Sequence, residues 1–212
     1  MKQTFTNIPI RTSHDVEVYK PLNPKRVFVL LHGYLLDGEF IFKKLRDILP
    51  LDCAIIAPNG PFIVPIKKKE KFKPGYAWYF YDSNQKNFYI DYNPGAEFVS
   101  SLLIEMGLDK KPVTLIGYSQ GGYLAPRIAD IIHNVDTVIG LACIFRNQRF
   151  SYRSNVIYHQ IHSKADLVVD FDEAKEEFMS LREKGNIGQF ISLEDNGHRL
   201  DSDYIETLKD LI

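Results

Sequence analysis

Residues Gly117-Tyr118-Ser119-Gln120-Gly121 form a G-x-S-x-G pattern, the turn that presents a serine hydroxyl above a sheet where a strand gives way to a helix. With glycine and serine each at about 7% of residues, the bare pattern arises by chance in roughly one chain in fifteen of this length, so context decides its meaning. Here an apolar run (VTLIG, 113–117) precedes it and a helical stretch (GGYLAPRIADII) follows it. The glycines relieve crowding in a strained turn. The helix start points unpaired amides and a positive dipole end at any oxyanion formed beside the serine. The other reading is a tight glycine-rich connection without chemistry.

A serine hydroxyl is a weak nucleophile, and acyl transfer requires an imidazole to take its proton and a carboxylate to fix the imidazole tautomer. Where such a turn carries the nucleophile, the partners follow in the chain order Ser, acid, His. Of the histidines after Ser119, only His198 follows the last expected strand, in the turn-forming loop Asn196-Gly197-His198. His159 and His162 flank or lie in a strand, which suggests packing or a surface role, and His133 falls at a helix end. For the acid, Asp166 lies in the loop Ser163-Lys164-Ala165-Asp166 beyond a strand, at the edge where sites in parallel sheets gather. Asp170 and Asp172 are rivals, read as the cap and first turn of the next helix. Backbone amides of Gln120 and Tyr34 are the expected oxyanion donors, Tyr34 from the loop Leu31-His32-Gly33-Tyr34-Leu35. The plain alternative for His32-Gly33 is a strand-ending turn.

These residues need a scaffold, and apolar runs alternating with amphipathic stretches predict an α/β fold, a mostly parallel sheet with helices on both faces. Strands are expected at 26–31, 53–57, 113–117, 137–143, 156–162 and 187–193. Helical faces carry Ile41, Leu45, Ile48 and Leu49; Val99, Leu102, Leu103 and Met106; Leu124, Ile128, Ile131 and Ile132; and Phe171, Ala174, Phe178 and Leu181. A terminal helix is expected over 202–212. Pro126 inside the third of these helices predicts a kink.

The stretch 58–92 reads as irregular and too long for an ordinary connection, so it is expected to cover a site. Five lysines in 67–73 (KKKEKFK) are followed by Tyr76, Trp78, Tyr79, Phe80 and Tyr81, then Phe88, Tyr89 and Tyr92. Leu35, Trp78 and Tyr79 are candidates for the acyl pocket. Equally, the aromatics make a satellite core and the lysines a solvated face. A lysine run beside aromatics also fits single-stranded nucleic acid or an anionic surface.

The 212 residues, 45% apolar, suffice for one core, and 1–212 is expected to be a single domain. A net charge of -1, from 26 basic and 27 acidic residues, points away from a nucleic-acid partner. Cys53 and Cys143 sit in apolar runs and read as small hydrophobes, neither spaced for a metal. Residues 1–10 lack the apolar stretch of a secretory signal, and no run reaches membrane-span length, so the expectation is a cytoplasmic protein without integral membrane association. A homodimer stays open.

Taken in order from His32 to His198, the chain resembles the phospholipase/carboxylesterase family of α/β-hydrolases, which includes the acyl-protein thioesterases. The resemblance rests on His32-Gly33, Gly117-Tyr118-Ser119-Gln120-Gly121-Gly122, Ile161-His162-Ser163-Lys164-Ala165-Asp166 with Val168-Val169, and Asn196-Gly197-His198. Trp78-Tyr79-Phe80 partly resembles the family's Trp-Phe-Asp segment. The resemblance implies hydrolysis of small-molecule carboxylic esters or thioesters with no metal and no organic cofactor. Two departures stand out. The family's His-Gly-x-Gly-Asp loop is longer and more apolar here (His32 to Gly38, HGYLLDG), and Asp170 stands where the family often has proline. The competing readings are a non-catalytic binding protein on a hydrolase scaffold and a peptidase.

Overall fold

The run VFVLL at 27–31 has no polar alternation, so a strand built from it must be covered on both faces. The computed structural model, which describes residues 13–80 and 91–212, places it at the centre of the protein. In chain order the elements are β1 (Val16–Tyr19), β2 (Val27–Leu31), α1 (Gly38–Leu45), β3 (Ala54–Pro58), β4 (Phe62–Lys68), β5 (Lys71–Ala77), α2 (Asn93–Glu105), β6 (Val113–Tyr118), α3 (Gln120–Ile131), β7 (Val135–Leu141), β8 (Ile157–Ser163), α4 (Phe171–Glu183), β9 (Phe190–Leu193) and α5 (Ser202–Lys209). The segment 1–10 and the aromatics Tyr81, Phe88 and Tyr89 lie outside the described residues.

Seven strands form one sheet in the order β1-β3-β2-β6-β7-β8-β9. All neighbours are parallel except β1 on β3. From β2 the chain moves first to β3 on one side and later to β6 on the other, so the connections diverge between β2 and β6. Such a switch point opens a crevice at the carboxyl ends of the strands. Alternate β2 side chains enter opposite layers: Val27, Val29 and Leu31 join Val99, Leu103, Leu124, Ile128 and Phe178, whereas Phe28 and Leu30 join Ile41, Leu45, Tyr204 and Leu208. Helices α2, α3 and α4 therefore cover one face, and α1 and α5 the other. Ile41 and Leu45 are fully buried, each contributing roughly 1.5–3 kcal/mol.

Several sequence expectations are corrected. Strand ends shift by one or two residues, within ordinary fraying. The short edge strand β1 was not expected, because four residues carry too little periodicity. The stretch 58–92 is not irregular throughout: β4 and β5 make a hairpin in register from Phe62↔Ala77 to Lys68↔Lys71. Proline and lysine content obscures it, yet Pro65 lies directly opposite Pro74, a pairing in which neither residue is asked for an N–H. The lysines lie on this exposed hairpin. The expected strand at 187–193 is reduced to Phe190–Leu193 plus an isolated bridge at Ile187, with Gly188 at φ 147° between them. The terminal helix ends at Lys209. Helix α3 continues through Pro126 to Ile131. Cys53 and Cys143 are free and buried. Among the described residues no helix is long and apolar enough to cross a membrane.

Where α3 crosses β2, backbones touch. A Cβ at Gly121 would lie 2.3 Å from the Leu31 carbonyl oxygen, and one at Gly117 would lie 2.4 Å from the Gly121 oxygen. Neither neighbour is a flexible side-chain tip, so the cost of a methyl must come from moving the helix. Gly121→Ala is expected to lower stability by about 1–3 kcal/mol, read as a lower urea midpoint with an unchanged slope.

The chain leaving β2 is latched by His32, which is fully buried. Its Nε2 accepts a hydrogen bond from the Gly60 amide at 2.8 Å, so Nδ1 carries the proton and donates to the Gly33 carbonyl at 2.7 Å. Burial pushes its pKa down to about 4, against smaller opposing effects of the Gly33 carbonyl and Asp37. An unfolded imidazole titrates near ~6.5, so the unfolded chain takes up the proton first as pH falls. The latch therefore contributes fully above about pH 6.5, and its contribution fades between pH 6.5 and about 4, a total of about 3 kcal/mol at the standard linkage. Burial lowers His159 in the same direction. The urea midpoint is expected to fall from pH 7 to pH 4.5, and His32→Gln is expected to show a smaller fall over that interval.

Candidate active site

At the carboxyl end of β6 the backbone reverses at Ser119, which has φ 50° and ψ -117°. A non-glycine residue held there costs of order 1–3 kcal/mol and persists only when its surroundings over-determine it. The Ser119 amide donates to the Leu141 carbonyl at 2.8 Å, and the Ser119 carbonyl accepts from Gly122 and Tyr123 at 2.8 and 3.1 Å. The turn is thus fixed to β7 on one side and to α3 on the other, and the side chain projects from the sheet edge.

His198, in the loop after β9, lies with Nε2 3.0 Å from Ser119 Oγ and Nδ1 2.8 Å from Asp166 Oδ2. A carboxylate against Nδ1 calls for the N–H there and leaves the Nε2 lone pair facing the serine. Asp166, in the loop after β8, has a fully buried carboxylate. Its Oδ1 accepts from the amides of Val168 and Val169 at 2.8 and 2.9 Å. Burial alone would raise this carboxyl's pKa. Hydrogen bonds from His162, His198 and the two amides outweigh it and hold the group well below the usual carboxylate range.

The two loops are tied together by atoms that no motif in the chain singles out. Ser163 Oγ accepts from Ala165 and Gly197 at 3.2 and 3.1 Å, one donor from the acid loop and one from the histidine loop. Tyr118 donates its hydroxyl to the His198 carbonyl at 3.1 Å, and Lys164 pairs with Glu194 at 2.6 Å. His162 is fully buried and is more than packing: its Nε2 lies 3.1 Å from the Val169 carbonyl and 3.4 Å from Asp166 Oδ2. Its spacing of four residues before Asp166 was the available signal. The rivals lie elsewhere. Asp170 caps α4 through the Glu173 amide at 2.8 Å, Asp172 is in the first turn of α4, His133 is exposed beyond α3, and His159 sits half-buried in β8.

A cavity of about 650 Å³ opens beside Ser119, lined by Tyr34, Tyr79, Gln120, Tyr123 and Val169 among others. Tyr34 and Gln120 both line it, and neither backbone amide has an acceptor among the described residues. The Gln120 side chain turns the other way: its Oε1 accepts from the Trp78 amide and its Nε2 donates to the Tyr79 carbonyl, both at 2.9 Å. Trp78 is fully buried and donates Nε1 to the His32 carbonyl at 2.8 Å, so it backs the wall rather than lining it. Leu35, at φ 64°, donates its amide to Tyr76 at 2.9 Å and is also off the lining. Of the three acyl-pocket candidates, only Tyr79 faces the cavity. No group of three or more His, Cys, Asp or Glu among the described residues is arranged to hold a metal ion.

This architecture is shared. Zea mays acyl-protein thioesterase 2 superposes with a TM-score of 0.74 at 20% identity, covering 94% of this chain and 97% of that one. Esterase PE8 gives 0.72 at 21% identity over 94% and 98%, and the Bacillus cereus carboxylesterase 0.73 at 16% over 93% and 92%. No match was found among proteins of curated function. The phospholipase/carboxylesterase family signature matches residues 14–212. The chain thus belongs to the phospholipase/carboxylesterase family, hydrolases of the esterase type, and has the α/β-hydrolase fold.

Proposed function

We propose that the protein hydrolyses small-molecule carboxylic esters or thioesters in two steps, with Ser119 as nucleophile, His198 as general base and acid, and Asp166 as the group that orients His198. The observation that carries this reading is the unbroken chain from Ser119 Oγ through His198 to Asp166, at 3.0 and 2.8 Å. Ser119 Oγ attacks the carbonyl carbon as His198 Nε2 takes its proton. The carbonyl oxygen becomes an oxyanion facing the amides of Tyr34 and Gln120 and the positive end of α3. Collapse breaks the bond to the leaving alcohol or thiol, which takes the proton from His198. Water then attacks the acyl-serine with His198 again accepting a proton, and the carboxylic acid departs. The reading takes residues 1–212 as one hydrolase domain. The aligned Ser119, His198 and Asp166 side chains count against a scaffold that binds without reacting.

Labelling with a fluorophosphonate is expected to leave one adduct, on Ser119, found by mass spectrometry of the digested protein. An unlabelled Ser119 would favour the binding-protein reading. Ser119→Ala is expected to lower ester kcat/KM by at least about 10³-fold, and activity within tenfold of the parent protein rejects the assignment. Asp166→Asn is expected to cost about 10⁴-fold in kcat, because an amide no longer dictates which imidazole nitrogen holds the proton. A loss below tenfold in that variant would move the orienting role to another carboxylate.

A further inference from the structure

A pocket for a plain acyl chain is walled mainly by apolar groups, with few polar ones. The cavity beside Ser119 has a largely apolar wall of that kind, but set into it are the phenol-bearing residues Tyr34, Tyr79, Tyr92 and Tyr123 and the charged residues Arg146, Arg149 and Glu177. Together with Glu173 these charges cancel in number, so their placement matters. Arg146 is bonded to Glu173, and Glu177 Oε2 accepts from the Asn147 amide at 3.1 Å. Arg149 is exposed and has no carboxylate partner among the described residues. Its guanidinium presents a fork of donors suited to a two-oxygen anion.

Tyr92 reports the field inside the cavity. Burial pushes its hydroxyl pKa up to about 12, and the strongest opposing influences are Arg149 and then Arg146. The Tyr92 ring packs edge-on against that of Tyr79, with centroids 4.9 Å apart. Tyr79 and Tyr92 thus line the same cavity as Ser119 and Arg149, whose guanidinium has no carboxylate partner among the described residues. A neutral acyl chain would make no use of the Arg149 guanidinium at the cavity wall.

We propose that the substrate is an anionic ester or thioester, carrying a carboxylate or phosphate that Arg149 binds while Ser119 attacks the carbonyl. This rests on the hydrolase reading above and adds the substrate class. The anion belongs to the acyl part or to the leaving group, and both are tested.

The decisive comparison is kcat/KM for matched charged and neutral esters. On the acyl side, mono-p-nitrophenyl glutarate is set against p-nitrophenyl valerate; on the leaving-group side, 4-acetoxybenzoate against phenyl acetate. In at least one pair the anionic member is expected to be preferred about tenfold or more, a preference that shrinks as salt rises. Arg149→Met is expected to cut that ratio at least tenfold, and Arg149→Lys to retain part of it, since it keeps charge and loses the fork. Taking a ratio removes any general loss of folded enzyme. Absence of preference in both pairs, or a ratio within twofold of the parent in Arg149→Met, overturns the proposal. Calorimetry of glutarate binding to Ser119→Ala, with and without Arg149→Met, reads the anion site apart from catalysis. Ester turnover blind to charge sinks the anionic class alone. Glutarate binding that depends on Arg149 without turnover of any ester sinks the hydrolase reading and leaves the anion site standing.

Discussion

A carboxylate removed from water must be supplied with donors or it takes up a proton, and the buried Asp166 sets that requirement for the whole sheet edge. Two of its donors, the amides of Val168 and Val169, come from its own loop, which curls around the oxygen. The others are imidazoles: His162 from β8, and His198 from a loop that arrives 32 residues later. The demand of one charge therefore fixes the path of two loops and the orientation of the ring that faces Ser119.

That arrangement works only because the serine is held still. The reversal at Ser119 is strained, and the close backbone contacts of α3 with β2 and β6 bear the strain. The divergence of connections between β2 and β6 creates room above the elbow. Tyr34, from the loop after β2, and Gln120, the first residue of α3, both line that room.

The wall behind the cavity is polar in construction though buried. His32, Trp78 and Gln120 form a relay of hydrogen bonds joining the end of β2, residue Gly60, the end of β5 and the nucleophile turn. Satisfied buried networks of this kind rigidify what they connect. The relay gives the Ser-Gln-Gly-Gly run a structural reason: glutamine offers both the acceptor that Trp78 needs and the donor that Tyr79 needs.

The sequence by itself determined the α/β alternation, the family and the positions of Ser119, Asp166 and His198 relative to strand ends, because strand and helix periodicities and turn chemistry are local properties of the chain. It also set Asp170 apart as a helix cap. It did not disclose the β4–β5 hairpin, where paired prolines and lysines mimic a loop, nor the short strand β1. It left Trp78 and Tyr79 equally open as an acyl pocket or a satellite core, and of the candidates Leu35, Trp78 and Tyr79 only Tyr79 lines the cavity, since an aromatic in sequence carries no sign of which side of a wall it faces. His162 against Asp166, Ser163 between two loops and Arg149 on the cavity that Ser119 lines were decided only by the tertiary structure. Each depends on segments distant in the chain meeting at one edge of the sheet, and such distances are a property of the folded core rather than of any stretch of residues.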